Sequence, residues 1–419
     1  MNKIKRMFLA LGFNLAAFAG SYQVSIDPHY SPYMGADLLL SMHETMRITE
    51  DFAASKEEIP KRGLKHSFYR FLDLTLFWEP FNHAERVVQH EVFGHGYRIR
   101  SLRHADLIKY SFKLPPPYGD GTGATHFYIK NELKLGEFQA ITIAGLEAES
   151  IMSKQIKRKI LKKGKISPKL SSLYMMTRYS PLMYALVPFP QVSDFQEGLF
   201  SGHDIQGFLY GLDALYPSKT LTRSKVLKKL SLSFFDPLTF YHYGAFWYYL
   251  FTGKEMGAPM IKLAKELYYL PNLTTELAPY GLETYLENYF LFKDSLYYFY
   301  LKRGHFQGDE YYGMGLDAEK LWSYGPWSIG ARIDLWYQND FLYNWNMEEA
   351  IELNLPPKEG FDVYLTKIPG GSFAVASKYQ ILNSKSSLFA DLGLKSKGYL
   401  PGYALKATPT WRVGMSAEF

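Results

Sequence analysis

Residues 327–335 read Trp-Ser-Ile-Gly-Ala-Arg-Ile-Asp-Leu, and this stretch decides how the second part of the chain folds. Apolar and polar side chains alternate with a period of two, as expected for a strand with one apolar and one wetted face. The same alternation recurs in residues 361–366, 372–382, 387–394 and 403–419. Turn-forming residues separate these runs at Pro369-Gly370-Gly371, at Asn383-Ser384 and at 398–402. Residues 306–419 are therefore predicted to form an antiparallel β domain.

The region before this β domain has mainly helical patterns. The whole chain has 419 residues, which leaves room for two domains. The predicted fold class is α+β, with an α-rich domain at 20–305 followed by the β domain at 306–419, which is a possible small β-barrel. One long helix is predicted over 131–163. Its basic end is expected to be a solvated face, or alternatively a surface that docks on membrane phosphates.

The run His90-Glu91-Val92-Phe93-Gly94-His95-Gly96 carries the most informative chemistry in the chain. Neutral imidazole nitrogens are good zinc ligands, and a neighbouring carboxylate can take a proton from an activated water. The usual spacing of such histidines is four residues, and here it is five. Five positions of a straight α-helix rotate a side chain by about 140° from its start. Gly94 is therefore expected to host a wide turn or a helix end.

This H-E-x-x-x-H run followed by glycine resembles the motif of the TldD-type metallopeptidases. The resemblance implies that His90 and His95 bind zinc and that Glu91 acts as the base. It covers about seven residues, and the cysteine that this family uses in its metal site has no counterpart, because the chain contains none. The structural alternative is that both histidines lie in a core helix and hydrogen-bond to the backbone, with Glu91 on a solvated face.

The third zinc ligand is predicted in the helical stretch 141–150. Glu147 fits best because its helical neighbours Ala144 and Ile151 mark a buried face, where acids are rare unless they are paired or bound to metal. Glu149 lies about 200° round the helix and is the second choice. A two-histidine helix with a downstream glutamate helix resembles the gluzincin metallopeptidases. The alternative for Glu147 is an ordinary ion pair with a lysine.

Other histidines are weaker candidates. His83 is seven residues before His90 and so lies on the same helical face. It could be a further ligand, a partner of a ligand, or a cap. His126 begins a strand-like segment that could line a substrate cleft. The pair His203-Asp204 and the isolated His242 are expected to be satisfied structural groups.

The first residues have the composition of an export signal. Lys3, Lys5 and Arg6 precede the apolar stretch 8–18, and Ala17-Phe18-Ala19 fits the small-x-small rule for signal peptidase. Residues 1–19 are therefore predicted to be a cleaved signal peptide. The lack of cysteine excludes disulfides and a lipid anchor on cysteine.

The last strand, which alternates and ends on Phe419, resembles the final strand of bacterial outer-membrane barrels. Tyrosine and tryptophan enrichment fits the aromatic girdles of such proteins. Six to eight strands would fit, and a soluble sheet packed on the helical part is the alternative. The helical stretch 240–250 is too short to span a bilayer and is predicted to be a core or membrane-resting helix.

These features together predict a zinc metallopeptidase of the cell envelope, located in the outer membrane or periplasm. Zn²⁺ is the expected cofactor, a peptide or protein is the expected substrate, and the membrane is an expected partner. Nucleic acid is not expected, because the net charge of +6 is modest and no basic recognition motif is present. The competing hypothesis is a non-enzymatic outer-membrane β protein, an adhesin or assembly factor, with a structural His/Glu cluster.

Overall fold

The computed structural model describes residues 21–53, 63–130, 133–193, 195–216, 221–306, 309–340, 367–381 and 385–418. The α-helices are α1 (Pro32–Ala53), α2 (Leu64–Asp73), α3 (Glu79–His90), α4 (Gly96–Arg100), α5 (Leu135–Thr142), α6 (Ala144–Lys163), α7 (Pro168–Leu186), α8 (Phe195–Leu199), α9 (Asp204–Leu215), α10 (Arg223–Leu230) and α11 (Pro237–Thr252). Two π-helical turns, Leu74–Trp78 and Glu91–His95, and one 3₁₀ turn, Ser231–Phe235, link some of them.

The strands are β1 (Ser21–Ile26), β2 (Ala105–Phe112), β3 (Gly123–Ile129), β4 (Lys165–Ile166), β5 (Met256–Gly257), β6 (Ile261–Ala264), β7 (Leu267–Ala278), β8 (Gly281–Phe292), β9 (Ser295–Phe306), β10 (Asp309–Tyr324), β11 (Trp327–Asn339), β12 (Lys367–Gln380), β13 (Ser386–Lys395) and β14 (Thr408–Glu418). Ten of them form one antiparallel sheet in the order β1-β14-β13-β12-β11-β10-β9-β8-β7-β6. The α+β prediction is confirmed, and closure of the sheet into a barrel is not shown.

The large sheet takes in more of the chain than the sequence predicted. It begins with β1 and then resumes at β6, so the change from helix to strand precedes the predicted boundary at 305/306. The inward positions of β8 and β9 carry buried tyrosines, among them Tyr289 and Tyr298. Leucines lie on both sides of these strands: Leu291 and Leu296 are buried beside the tyrosines, whereas Leu286 and Leu301 are exposed on the outward side. Both faces are therefore apolar by residue type, and this hides the period of two on which the prediction relied.

Two further predictions in the β region have definite outcomes. Pro369-Gly370-Gly371 does not form a turn, because these residues pair with Leu335–Tyr337 inside strand β12. The alternating run 327–335 does form a strand, β11, as predicted. The predicted strand at 361–366, the turn at Asn383-Ser384, the signal peptide at 1–19 and the terminal Phe419 lie outside the described residues.

The inner face of the sheet packs on helices α1 and α6 through charged side chains. The predicted basic end of α6 forms ion pairs within the chain, and six cations take part: Lys154 with Glu276, Lys157 with Asp236, Arg158 with Asp317, Lys159 with Glu44, Lys162 with Glu319, and Lys163 with Glu255. Four of the acids belong to sheet strands or neighbouring helices that face α6. The interpretation of this run as a surface for membrane phosphates is therefore replaced by an internal electrostatic contact.

Helix α1 covers the edge of the sheet at β1. The Ser41 hydroxyl donates to the Gln23 carbonyl and accepts from the Gln23 backbone N–H, at 2.7 and 2.9 Å. These two bonds satisfy polar groups that an edge strand otherwise leaves unpaired.

The helical part surrounds the motif around His90. Helices α5, α6, α7 and α9 share a core that contains Ile141, Leu146, Leu182, Phe208 and Leu212. The long helix predicted over 131–163 is divided at Ile143 into α5 and α6. In the described part of the chain, every helix is too short or too polar to cross a lipid bilayer.

Candidate metal centre

The predicted histidine motif lies on one helical rod that changes its winding at the site. Helix α3 ends at His90, a π-helical turn covers Glu91–His95, and α4 follows from Gly96. A π-helical turn closes i to i+5 hydrogen bonds, so residues five apart return to nearly the same face. The predicted wide turn at Gly94 is confirmed, and it brings the two imidazoles together, with ring centroids 4.8 Å apart.

Close packing of α6 against this rod fixes where the histidines lie. A Cβ on Gly94 would meet the backbone of Ala144 at 2.6 Å, and a Cβ on Gly145 would meet the His90 ring at 2.2 Å. Larger residues at either glycine would force the helices apart. The sequence prediction that small residues let this helix pack closely on its neighbour is therefore confirmed.

Hydrogen bonds at Nδ1 orient both rings. The His90 Nδ1–H donates to Glu149 Oε1 at 2.9 Å, and the His95 Nδ1–H donates to the Ile141 carbonyl at 2.7 Å. A carbonyl oxygen can only accept, so Nδ1 of His95 carries the proton and Nε2 of the neutral ring is an acceptor. The carboxylate of Glu149 favours the same tautomer of His90. The two Nε2 atoms lie 3.1 Å apart, close enough to share one proton or to bind one metal ion.

Asp204 is the third group of the cluster. Its Oδ2 lies 3.1 Å from His90 Nε2 and its Oδ1 lies 3.6 Å from His95 Nε2. The buried Oδ2 makes no hydrogen bond. Two ligand atoms at zinc distances of about 2.0–2.2 Å in a tetrahedral site are roughly 3.3–3.6 Å apart, so the three groups fit a zinc ion. His90, His95 and Asp204 are hereafter called the acceptor cluster.

The electrostatics of the acceptor cluster favour a positive charge at its centre. Burial alone would lower the pKa of His90, but interactions with Tyr184 and Asp204 raise it well above its ordinary value. Burial alone would raise the pKa of Asp204, yet the charges of His95 and His90 hold it well below its usual range. Opposite shifts of this kind are those of an imidazole–carboxylate pair in which the imidazole holds a proton, and a metal ion at the same point would take the place of that proton.

Glu147, the predicted third ligand, lies in a different contact network. Arg98 donates to both of its oxygens at 2.7 and 2.8 Å, and the Tyr399 hydroxyl and the Gly402 backbone N–H donate to it as well. The structure does not bring Glu147 to the two histidines, and Asp204 stands there instead. The predicted burial of Glu147 is correct, but a buried arginine of the motif rod satisfies it, as in the ion-pair alternative.

Glu149, the second choice, contacts His90 of the acceptor cluster but does not face the point that the three cluster residues share. It is four residues after Gly145, on the helical face that passes under His90. Its Oε1 accepts from His90 Nδ1, whereas its Oε2 is buried without a partner. A carboxylate behind a ligand histidine fixes the tautomer and raises the basicity of the ring. The structure therefore gives Glu149 the position of a residue that orients a ligand.

Glu91 turns towards the β2–β3 hairpin. Its Oε2 accepts from the Thr125 hydroxyl at 2.6 Å, and a Cβ on Gly123 would lie 2.8 Å from its Cγ. Strand β3 thus lies directly over the π-helical turn. The carboxylate is buried, and its negative charge acts on His95. Glu91 is therefore close to the acceptor cluster and faces a strand edge.

The other histidines that the sequence singled out lie outside the acceptor cluster. His83 Nε2 hydrogen-bonds with the Gly121 carbonyl at 2.9 Å and so holds the hairpin loop. His126 points to the opposite side of β3 from Thr125 and contacts Ser111. His242 is buried against Ser171 and stacks on Tyr174, as expected for a structural group.

Sequence reasoning missed two groups of the site. Asp204 is one of them, because the pair His203-Asp204 is isolated in the sequence and such isolated groups are expected to be structural. Tyr184, near the end of α7, stacks on His90 with ring centroids 5.7 Å apart, and it also contacts His203 edge to face. The pair His203-Asp204 was the available signal for the third ligand. A motif with two histidines needs a further ligand from another part of the chain, and this pair offers side chains that can bind a metal.

Comparison of the chain with protein-family models, with curated proteins and with solved structures finds no match.

Proposed function

We propose that the chain is a zinc-dependent peptide-bond hydrolase in which His90, His95 and Asp204 hold the metal ion. The observation that carries the proposal is the acceptor cluster itself, in which two imidazole Nε2 atoms and the Asp204 carboxylate face one point. Three protein ligands of these types, with a fourth position left open, are the arrangement of catalytic zinc sites. Two Nε2 atoms 3.1 Å apart, on rings that are both protonated at Nδ1, must share either a proton or a metal ion.

Each neighbouring residue has a role in this proposal. A bound zinc ion supplies a Lewis acid that polarises a carbonyl and lowers the pKa of water towards ~7. Glu91 takes the proton of the attacking water and passes it to the leaving amine. Its contact with Thr125 occupies one of about four lone-pair positions of the carboxylate, which leaves acceptor capacity for that proton. Tyr184 keeps the His90 ring in place by stacking.

Strand β3 is the proposed binding edge for substrate. Among the described residues, β3 pairs with β2 on one side only. An extended peptide can add to the other edge through backbone hydrogen bonds, next to Glu91. The substrate class is therefore a peptide or an unfolded segment of a protein. We place the reaction in the cell envelope, on the basis of the signal predicted at residues 1–19.

Elemental analysis of the purified protein tests the metal ligands. The wild type and Glu91→Gln are expected to carry about one zinc per chain, whereas His90→Ala and Asp204→Asn are expected to carry none. Glu147→Gln is the matched control, because Glu147 is a buried carboxylate that binds Arg98 and does not touch the cluster. Since this variant leaves Arg98 without a counterion, circular dichroism first checks that it is folded. Zinc retained in Asp204→Asn and lost in Glu147→Gln would overturn the ligand assignment.

Hydrolysis is measured on a peptide library by mass spectrometry. The zinc-loaded wild type is expected to cleave, and Glu91→Gln is expected to keep zinc and lose about 10²–10⁴-fold in rate, the usual contribution of a general base. A zinc-loaded protein that cleaves no peptide would reject the enzyme. The deep burial of His90 and Glu91 would then favour the second candidate, a non-enzymatic outer-membrane β protein in which the cluster is structural.

A further inference from the structure

The outward face of the ten-stranded sheet is apolar across neighbouring strands. One row of cross-strand partners consists of Leu316, Ile333, Phe373 and Leu394, whose exposed fractions are 44%, 40%, 51% and 69%. At the other end of the strand order, Ile26 of β1 pairs with Val413 of β14, and both are exposed. These side chains form one continuous surface, hereafter called the outward face.

The charged side chains in the middle of β11, β13 and β14 lie on the opposite side of these strands. Arg412 pairs with Asp391 at 2.7 Å, and Arg332 pairs with Asp334 at 3.0 Å, all on the face that packs on helix α1. On the outward side, the exposed Arg303 of β9 stands beside Tyr312, at one end of the face, where it pairs with Glu310. The outward positions of β11 carry no charge, and they are Trp327, Ile329, Ala331, Ile333, Leu335 and Tyr337. A sheet that meets water on one side normally has the reverse pattern, with charges outside.

Aromatic residues mark the two ends of the outward face. Tyr312 of β10 pairs with Tyr337 of β11 at one end, and Tyr324 pairs with Trp327 at the other. Aliphatic pairs such as Met314 with Leu335 lie between them. Aromatic rings at both limits of an aliphatic band are the pattern of residues at the two interfaces of a bilayer.

The height of the outward face agrees with a bilayer. Ten residue steps from Trp327 to Tyr337 at ~3.4 Å per residue give about 34 Å along the strand. With the strand tilt of about 40° found in membrane sheets, this is about 26 Å along the membrane normal, against a typical apolar band of about 25 Å.

The area of the outward face also favours lipid over a protein partner. Eight strands, β8 to β14 and β1, at ~4.8 Å spacing make a surface about 34 Å wide, or roughly 1,100 Å² as a flat rectangle. The largest apolar patch of an ordinary monomer is about 300–600 Å², and a standard protein interface takes about 800 Å² from each partner. A partner protein would have to cover more than a standard interface, with charged contacts only near the Arg303 end of the described face.

We propose that the outward face of the sheet lies in a lipid bilayer and contacts its acyl chains. The aromatic ends lie at the headgroup level, and the ion pairs between the sheet and helices α1 and α6 lie on the inner, protein-filled side. This proposal does not depend on zinc or on hydrolysis, because none of the residues that carry it touches the acceptor cluster.

Single-cysteine spin labelling tests the proposal without background, because the chain has no cysteine. Val375→Cys places a label on the outward face, and Ala376→Cys places one on the inner face of the same strand, β12. The labelled, full-length protein is reconstituted into vesicles of phosphatidylethanolamine and phosphatidylglycerol. Electron paramagnetic resonance then measures collisions of each label with oxygen, which dissolves in lipid, and with a water-soluble nickel complex.

The Val375→Cys label is expected to lose access to nickel while it collides freely with oxygen. The Ala376→Cys label is expected to collide less with oxygen. Leu392→Cys, on the neighbouring strand β13, should behave like Val375→Cys and serves as a second variant if the first does not fold. Nickel access at the outward positions would overturn the proposal in favour of a wetted surface. Loss of access to both reagents would overturn it in favour of a protein cover, such as a second copy.

Discussion

Two buried aspartates, each at the start of a helix, have opposite surroundings. Asp236 caps α11 and is held by Lys157 at 2.9 Å, by Arg178 at 3.1 Å and by the Tyr174 hydroxyl. Asp204 begins α9 and, among the described residues, forms its ion pairs with the imidazoles of His90 and His95. Burial would raise the pKa of each carboxyl, but neighbouring positive charges hold the pKa of both well below the ordinary range.

The difference lies in the source of the positive charge. The chain itself supplies permanent cations to Asp236, so that cluster is electrically complete. At Asp204 the charge must come from a proton on an imidazole or from a metal ion. A buried polar cluster that its own chain does not complete is a candidate binding site, whereas a completed one is a structural element.

The largest expected effect comes from breaking the completed cluster. Asp236→Asn leaves Lys157 and Arg178 buried without a counterion, so the free energy of unfolding should fall by about 3–5 kcal/mol. Urea unfolding followed by circular dichroism measures it. Asp120→Asn, which removes an exposed pair with Lys113, is the control and should leave unfolding unchanged. A stable Asp236→Asn protein would mean that the cations find other partners.

Zinc should stabilise the incomplete cluster alone. At a free zinc concentration of 100 times the dissociation constant, the wild type should gain about 2.7 kcal/mol in the free energy of unfolding, because the ion binds only the folded chain. Asp204→Asn should gain nothing, whereas Glu147→Gln should gain as much as the wild type. The measurement is urea unfolding with and without zinc. Equal stabilisation of Asp204→Asn would show that zinc acts elsewhere.

Glu149→Gln sharpens the comparison, because it weakens the hydrogen bond that orients the proposed ligand His90 and leaves His90 itself in place. The His90 Nδ1–H would lose its charged acceptor, so zinc affinity should fall about 10–100-fold with the stoichiometry unchanged. Competition with a fluorescent chelator measures the dissociation constant. An unchanged constant in Glu149→Gln would remove its orienting role.

Asp213 extends the comparison to an acid for which the described residues provide no ion pair. Burial raises the pKa of this group to about 6 from the usual 3.8, and its Oδ1 has no hydrogen-bond partner. Between these values the folded chain holds a proton that the unfolded chain has released, so stability should fall as pH rises from about 4 to about 6. Asp213→Asn should flatten that part of the stability profile, measured by urea unfolding. The same slope in this variant would assign it to another group.

The sequence alone determined the local parts of the site. The spacing of His90 and His95 together with Gly94 predicted a widened helical turn, because only such a turn brings residues five apart to one face. The alternation at 327–335 predicted a strand for the same kind of reason, since the period of side chains is a property of the local backbone. The presence of an α-rich part and an antiparallel β part followed from these local patterns.

Only the tertiary structure decided which acid meets the two histidines. Glu147 and Glu149 are buried, Asp204 is largely buried, and all three lie on helices, but their local sequences do not say which face turns inward. The crossing of Gly145 under His90 directs Glu149 to the back of that ring, Arg98 engages Glu147, and the packing of α9 brings Asp204 to the front. Contacts between residues more than a hundred positions apart depend on how helices pack, which local periodicity does not encode.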